Sequence, residues 1–157
     1  MSAPPTGPLP LGVRLLPLAA IASALVLGIS EFMTEFEVNA AGGETLQTLQ
    51  AGDRHWYAML IIAVFAIVMV VLHVRTGARP PALAAAAVGV LAVMLFLVVD
   101  VPKVNDVGDL DEPAAGLVTA RAEPQPGFWL ALVGALGLAV SAGAMAALAP
   151  REEPERD

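Results

Sequence analysis

"WYAMLIIAVFAIVMVVLHVRTGARPPALAAAAVGVLAVMLFLVVD", residues 56–100, holds two long apolar runs around one short basic break. Before Asp100 the only fixed charges in it are Arg75 and Arg79, both in "HVRTGARP". Each run approaches the roughly 20 residues that a helix needs to cross a hydrocarbon core. Backbone amides in lipid must be satisfied within the segment, so isolated runs of this length read as helices. The stretch is a helical hairpin with a basic turn. Pro80 and Pro81 open its second helix, where a missing N–H costs nothing.

Two further runs flank the hairpin, "LGVRLLPLAAIASALVLGIS" at 11–30 and "FWLALVGALGLAVSAGAMAALA" at 128–149. The expected fold class is all-α transmembrane: a four-helix membrane bundle with a small extracytoplasmic β-hairpin or β-sheet cap. One integral membrane domain spans residues 1–157. Its transmembrane helices lie at about 11–30, 56–74, 81–99 and 128–149, and its long loops at about 31–55 and 100–127. A cleaved signal peptide competes for the first run, with Arg14 as its basic end and Ala22–Ser23–Ala24 as small residues. The apolar run continues to Ile29, longer than a usual signal core, which favours an uncleaved helix.

Composition supports the membrane class. Of 157 residues, 57% are hydrophobic, against about 45–50% in soluble domains. The chain has no cysteine, which excludes disulfides, thiolate metal sites and dithiol redox chemistry. A net charge of −7 argues against nucleic acid, which is bound largely through basic residues. Arginine outnumbers lysine, whose only instance is Lys103, and alanine is abundant. That bias points to a high-GC bacterial genome.

Orientation follows from basic residues in short loops. Arg14, Arg75, Arg79, Arg151 and Arg156 fall on one side, and Arg54, Lys103 and Arg121 on the other. Of the 15 acids, all but Glu152, Glu153, Glu155 and Asp157 lie in the two long loops. Both termini and the Arg75–Arg79 turn are therefore expected in the cytoplasm of a bacterial inner membrane. Phe32, Phe36, Trp56, Tyr57, Phe128 and Trp129 cluster at the opposite interface, where aromatic rings favour the headgroup level.

Small residues mark helix contacts, because apolar helices in lipid associate by close backbone approach. The last run repeats them at every fourth position: Gly127, Ala131, Ala135, Ala139, Gly143 and Ala147, widened by Gly134, Gly137 and Ser141. The first run has Ala20, Ala24 and Gly28, and the third Ala85 and Gly89. The second is bulky almost all round. The first, third and fourth helices are expected to pack tightly, with the second facing more lipid. A membrane-protein partner or a second copy docking along the fourth helix is the alternative use of its stripe.

In the first loop, Phe36 and Val38 alternate with Glu35 and Glu37, a period-two strand signal. Residues 41–43 can turn the chain, and residues 44–50 return as a strand or, on Leu46 and Leu49, as a helix. Residues 116–122 offer a third strand. Asp53 is a candidate N-cap for the helix that follows it.

Candidate chemistry is sparse. "NDVGDLDE", residues 105–112, carries oxygen ligands of the kind calcium takes. With Gly108 at the glycine position of an EF-hand loop, Lys103 would fall at the first ligand, so a solvated acidic loop is the better reading. Asp100 ends nearly twenty uncharged residues. It reads as an end-cap reaching the headgroups, or as a partner of Arg54, His55 or Arg121. His55 and His73 are the only histidines; helical spacing puts them about 27 Å apart, too far to share a metal or haem. His55, Met59 and Met33 make a weak copper set. No acid or base lies in the middle of any run, and proton-coupled transport usually needs one there. No catalytic, cofactor-binding or metal residues are assigned, and no cofactor is expected.

"GDRHWYAML", "VVDVP" and "GFWLALVGALGL" around four spans resemble small uncharacterised multi-pass membrane proteins of high-GC bacteria. The outline is also similar to claudin-like proteins, a small sheet on four helices, without that family's cysteine pair or Trp-Gly-Leu-Trp motif. The resemblance implies a lipid-embedded architecture and no activity. The expected function is non-enzymatic: a cell-envelope accessory or interaction protein acting through acidic outer loops. The alternative is a small oligomeric channel or transporter. A membrane enzyme is disfavoured because no polar groups converge.

Overall fold

A computed structural model describes residues 11–40, 45–52, 56–105 and 120–149. Helix α1 covers Leu11–Ser30 and runs through Pro17. Strands β1 (Thr34–Ala40) and β2 (Thr45–Gln50) follow. Helix α2 covers Ala58–Thr76, and α3 covers Arg79–Leu95. A π-helical turn, Phe96–Asp100, and a 3-10 turn, Val101–Asn105, prolong α3. Strand β3 (Ala120–Pro124) leads into α4 (Pro126–Leu148). The chain is mostly helical, with four helices long and apolar enough to cross a membrane and one small sheet.

The helices alternate in direction. The short turn between α2 and α3 defines one end of the bundle, and the sheet defines the other. At the turn end Gly77 closes α2 in a left-handed conformation, φ 68°, with its N–H donating to the His73 carbonyl. That position suits glycine because a Cβ crowds the left-handed region. His73 Nδ1 donates to the Ala78 carbonyl at 2.7 Å, and Thr76 Oγ1 accepts from Ala78 N–H. Arg79 Nε reaches the Ala146 carbonyl on α4 at 3.2 Å. An arginine at a helix C-terminus also complements the helix dipole.

Helix α4 is the centre of the bundle. It packs most extensively on α1 and then on α3, while α2 lies opposite it against those two. In its most apolar window 44% of α4 is buried, against 22% for both α1 and α2 and 28% for α3. The closest helix contacts thus join the fourth helix to the first and the third, while the first is as little buried overall as the second. One face of α1 meets α4 closely, but Leu15, Leu18, Leu25 and Ile29 on its other side are exposed.

Close approach rests on glycines. A Cβ on Gly134 would lie 2.6 Å from Leu27 N of α1, and one on Gly89 would lie 2.8 Å from Ala139 Cα and N of α4. The axis is filled with small side chains: Ala20, Ala24, Ala66, Ala85, Ala135 and Ala142 are all fully buried. The fourth-position stripe does not stay inside. Ala131 and Ala135 are buried, but Ala147 is exposed and a Cβ on Gly143 would meet nothing within 4 Å. Four residues advance a helix by one turn plus about 40°, so the row winds away from its neighbour. Leu138, Ala142, Met145 and Ala146 take over the buried face.

The sheet has the order β2-β1-β3, antiparallel throughout. The first loop thus returns as a strand rather than a helix, and a third strand covers Ala120–Pro124; residues 116–119 of its sequence signal lie outside the described residues. Phe36 and the bundle-end Phe128 tie the sheet to α4, with ring centroids 5.5 Å apart.

Candidate functional site

The sheet end of the bundle is where polar chemistry is buried. Among the described residues, Ser30, Glu31, Glu35 and Asp100 are at most 1% exposed, and all four belong to this end. The fifth buried polar residue, Ser141, lies within α4 and donates to the Gly137 carbonyl at 2.6 Å.

Glu31 follows α1 directly. Its Oε1 accepts the Met59 N–H at 3.0 Å, across 28 residues of chain. Helix α2 begins after Tyr57, which makes no side-chain cap. Glu31 therefore caps α2 from another element. It satisfies one of the first orphan N–H groups and places a carboxylate at the positive end of the helix dipole. Asp53, the sequence candidate for this cap, lies outside the described residues. The helix also starts two residues later than its aromatic run, because Trp56 and Tyr57 both adopt left-handed backbone, φ 52° and 57°. The turn is closed by Tyr57 N–H donating to the Gly52 carbonyl at 3.3 Å.

Glu35 is buried by a β-bulge. On β1, Thr34 pairs with Gln50 and Phe36 with Leu49, so Glu35 is the extra residue against β2. A bulge re-aims side chains and breaks strict alternation. Glu35 and its neighbour Phe36 are consequently both enclosed, at 0% and 1% exposure. Its carbonyl accepts the Gln125 N–H at 2.8 Å, joining β1 to the start of α4.

Asp100 is enclosed by the π turn. The Val101 N–H donates to the Phe96 carbonyl, one residue beyond the α-helical partner. Pro102 supplies the cause. It has no N–H, and its ring clashes with the carbonyl four residues earlier, which a wider turn relieves. The turn places Asp100 over Phe96 on the inward side, while Leu97, Val98 and Val101 face out. The headgroup-reaching reading of Asp100 is thus replaced by a buried one. The aromatic floor consists of Phe96 and Phe128, 4.7 Å apart, and Phe36 beyond Phe128. Phe36 and Phe128 are accordingly core residues, enclosed rather than facing outward.

Glu31, Glu35, Asp100 and Lys103 all have partners within the fold. This arrangement can act as a polar latch between sheet and bundle. Among the described residues, no group of three or more His, Cys, Asp or Glu is arranged to hold a metal ion. Met59 of the weak copper set is buried at 1% exposure. His55, Arg54 and the acidic segment 106–112 lie outside the described residues. Sequence reading passed over Glu31 and Glu35. With Asp53 available as a local cap candidate, nothing in the sequence called for a remote one, and the bulge left no sequence mark.

Elsewhere, α2 carries a shallow groove of about 520 Å³ lined by Leu60, Ile61, Val64, Phe65, Val68 and Met69. Its lining is apolar throughout. No family model matches the chain, and no curated protein or solved structure is similar to it at a significant level.

Proposed function

We propose that this chain is a four-span integral protein of a bacterial cytoplasmic membrane, with both termini and the Arg75–Arg79 turn in the cytoplasm and the sheet outside. The observation that carries the reading is the helix surface. Large apolar side chains stay exposed along every helix, including Leu18, Ile61, Val64, Val68, Val90, Val133 and Val140. Such a continuous apolar exterior is untenable in water and ordinary in hydrocarbon. Arg14, Arg75 and Arg79 at the turn end support the orientation.

Its role is that of a non-enzymatic accessory or interaction protein of the envelope, working through the sheet and the acidic loops. The alanine-filled axis favours this over the alternative, a small oligomeric channel or transporter. Cysteine labelling tests the topology, since the native chain has none. Gln47→Cys is expected to react with an impermeant maleimide in intact cells, and Thr76→Cys only after lysis; the reverse pattern refutes the orientation. For the role, the tagged protein in mild detergent is expected to retain a partner that is lost when Glu37 and Gln47 on the sheet are replaced. Saturable solute flux in liposomes containing the purified chain would favour the transporter instead.

A further inference from the structure

Of the eight aromatic residues, two Trp, one Tyr and five Phe, seven form two sets at the sheet end; the eighth, Phe65, is exposed along α2. Phe36, Phe96 and Phe128 turn inward. Phe32, Trp56, Tyr57 and Trp129 turn outward, with exposures of 61%, 86%, 43% and 54%. The outward four come from three places: the turn after α1, the entry to α2 and the first turn of α4. Phe32 lies against Tyr57 with ring centroids 5.9 Å apart, and Trp129 meets the buried Phe128 edge-on at 5.3 Å. Lys103, in the 3-10 turn that prolongs α3, is exposed at the same end.

Two features go beyond a chance scatter of surface rings. The first is backbone cost. Trp56 and Tyr57 hold consecutive left-handed conformations, each disfavoured by about 1–2 kcal/mol for a residue with a Cβ. The fold keeps this turn although it leaves a tryptophan 86% exposed, an expensive position in water. The second is spacing. Helices α1 and α2 have 20 and 19 residues. At 1.5 Å per residue they are about 28–30 Å long, close to the roughly 30 Å hydrocarbon core. The outward rings stand at one end of that length, and Arg14, Arg75 and Arg79 stand at the other.

We propose that Phe32, Trp56, Tyr57 and Trp129 form a lipid-binding collar, seated at the headgroup–acyl boundary of the leaflet nearest the sheet, which sets the depth of the chain in the bilayer. The inference rests on the membrane-spanning reading. Lipid fits this surface better than a protein partner because the rings issue from α1, α2 and α4 around the bundle rather than from one flank. Trp and Tyr combine an apolar body with one polar tip, the chemistry of that boundary. The collar also places the Glu31, Glu35 and Asp100 latch at the edge of the hydrocarbon, where competition from water is reduced.

The two tryptophans are both in the collar, so intrinsic fluorescence reports on it directly. The full chain and its variants Trp56→Phe and Trp129→Phe are reconstituted in phosphatidylcholine vesicles carrying bromine near the glycerol end or near the methyl end of the acyl chains. Each remaining tryptophan is expected to be quenched about twofold or more strongly by the shallow bromines than by the deep ones, as for a ring at the interface. Stronger quenching by the deep bromines overturns the collar. So does quenching by aqueous iodide alone. Flotation of the same vesicles separates the failures: protein that floats without shallow quenching sinks the collar only, and protein that does not float sinks the membrane reading with it.

Discussion

The middle of the bundle and its sheet end are built on opposite principles. The middle is held by what is missing: Gly89 and Gly134 have no side chain where α3 and α1 press on α4. The sheet end is held by what is present: a remote carboxylate cap, an aromatic triad and backbone irregularities that turn Glu35 and Asp100 inward. Regular helices give close contact cheaply but cannot aim a polar group. A bulge disturbs a regular ladder and encloses Glu35, which strict alternation with Phe36 would have exposed.

Substitutions can break this contrast. The largest effect is expected at the sheet end, where Phe128→Ala removes the ring shared by Phe36 and Phe96 and should cost about 3–4 kcal/mol. Unfolding in mixed detergent micelles measures it, and a loss under about 1 kcal/mol would show that the triad is not the anchor of the sheet. Next, Gly134→Leu should cost about 3 kcal/mol by forcing α1 from α4. Gly143→Leu, on the same helix but facing open space, should change stability by no more than about 0.5 kcal/mol. Equal losses at the two would mean that the close approach at Gly134 does not govern packing.

Smaller effects sharpen the picture. Glu31→Ala should cost about 1–2 kcal/mol, the loss of a helix cap. Hydrogen exchange at the Met59 amide should quicken about tenfold, the rate equivalent of 1.4 kcal/mol, while the turn end of α2 stays protected. Unchanged exchange at Met59 would remove Glu31 from that role. At the turn end, Gly77→Ala should cost about 1 kcal/mol for placing a Cβ at φ 68°, visible as a modest fall in thermal midpoint without change at the sheet.

Much of the bundle was legible because its signals are local. A run of apolar residues long enough to span a bilayer is a property of consecutive positions, as is the proline and glycine punctuation at residues 77–81. The strands at Thr34–Ala40 and Thr45–Gln50 were legible for the same reason: alternation and a glycine-rich turn. The small-residue stripe was only half informative. Residues at every fourth position look like one line in sequence but spiral in space, so Ala131 and Ala135 are buried whereas Ala147 is not.

The polar interior of the sheet end was the least legible. Glu35 and Glu37 are alike in sequence, each an acid flanking Phe36, and only the unequal pairing of β1 with β2 encloses the first. Asp100 read as a helix-end charge because consecutive positions do not show which face of a helix end the rest of the chain covers. Chain length, apolar runs and breakers thus establish four helices and their approximate ends, since those depend on near neighbours alone. Which carboxylates are enclosed, which rings face outward and which helix is central depend on contacts such as Glu31 with Met59, 28 residues apart; these form only once the whole chain has packed.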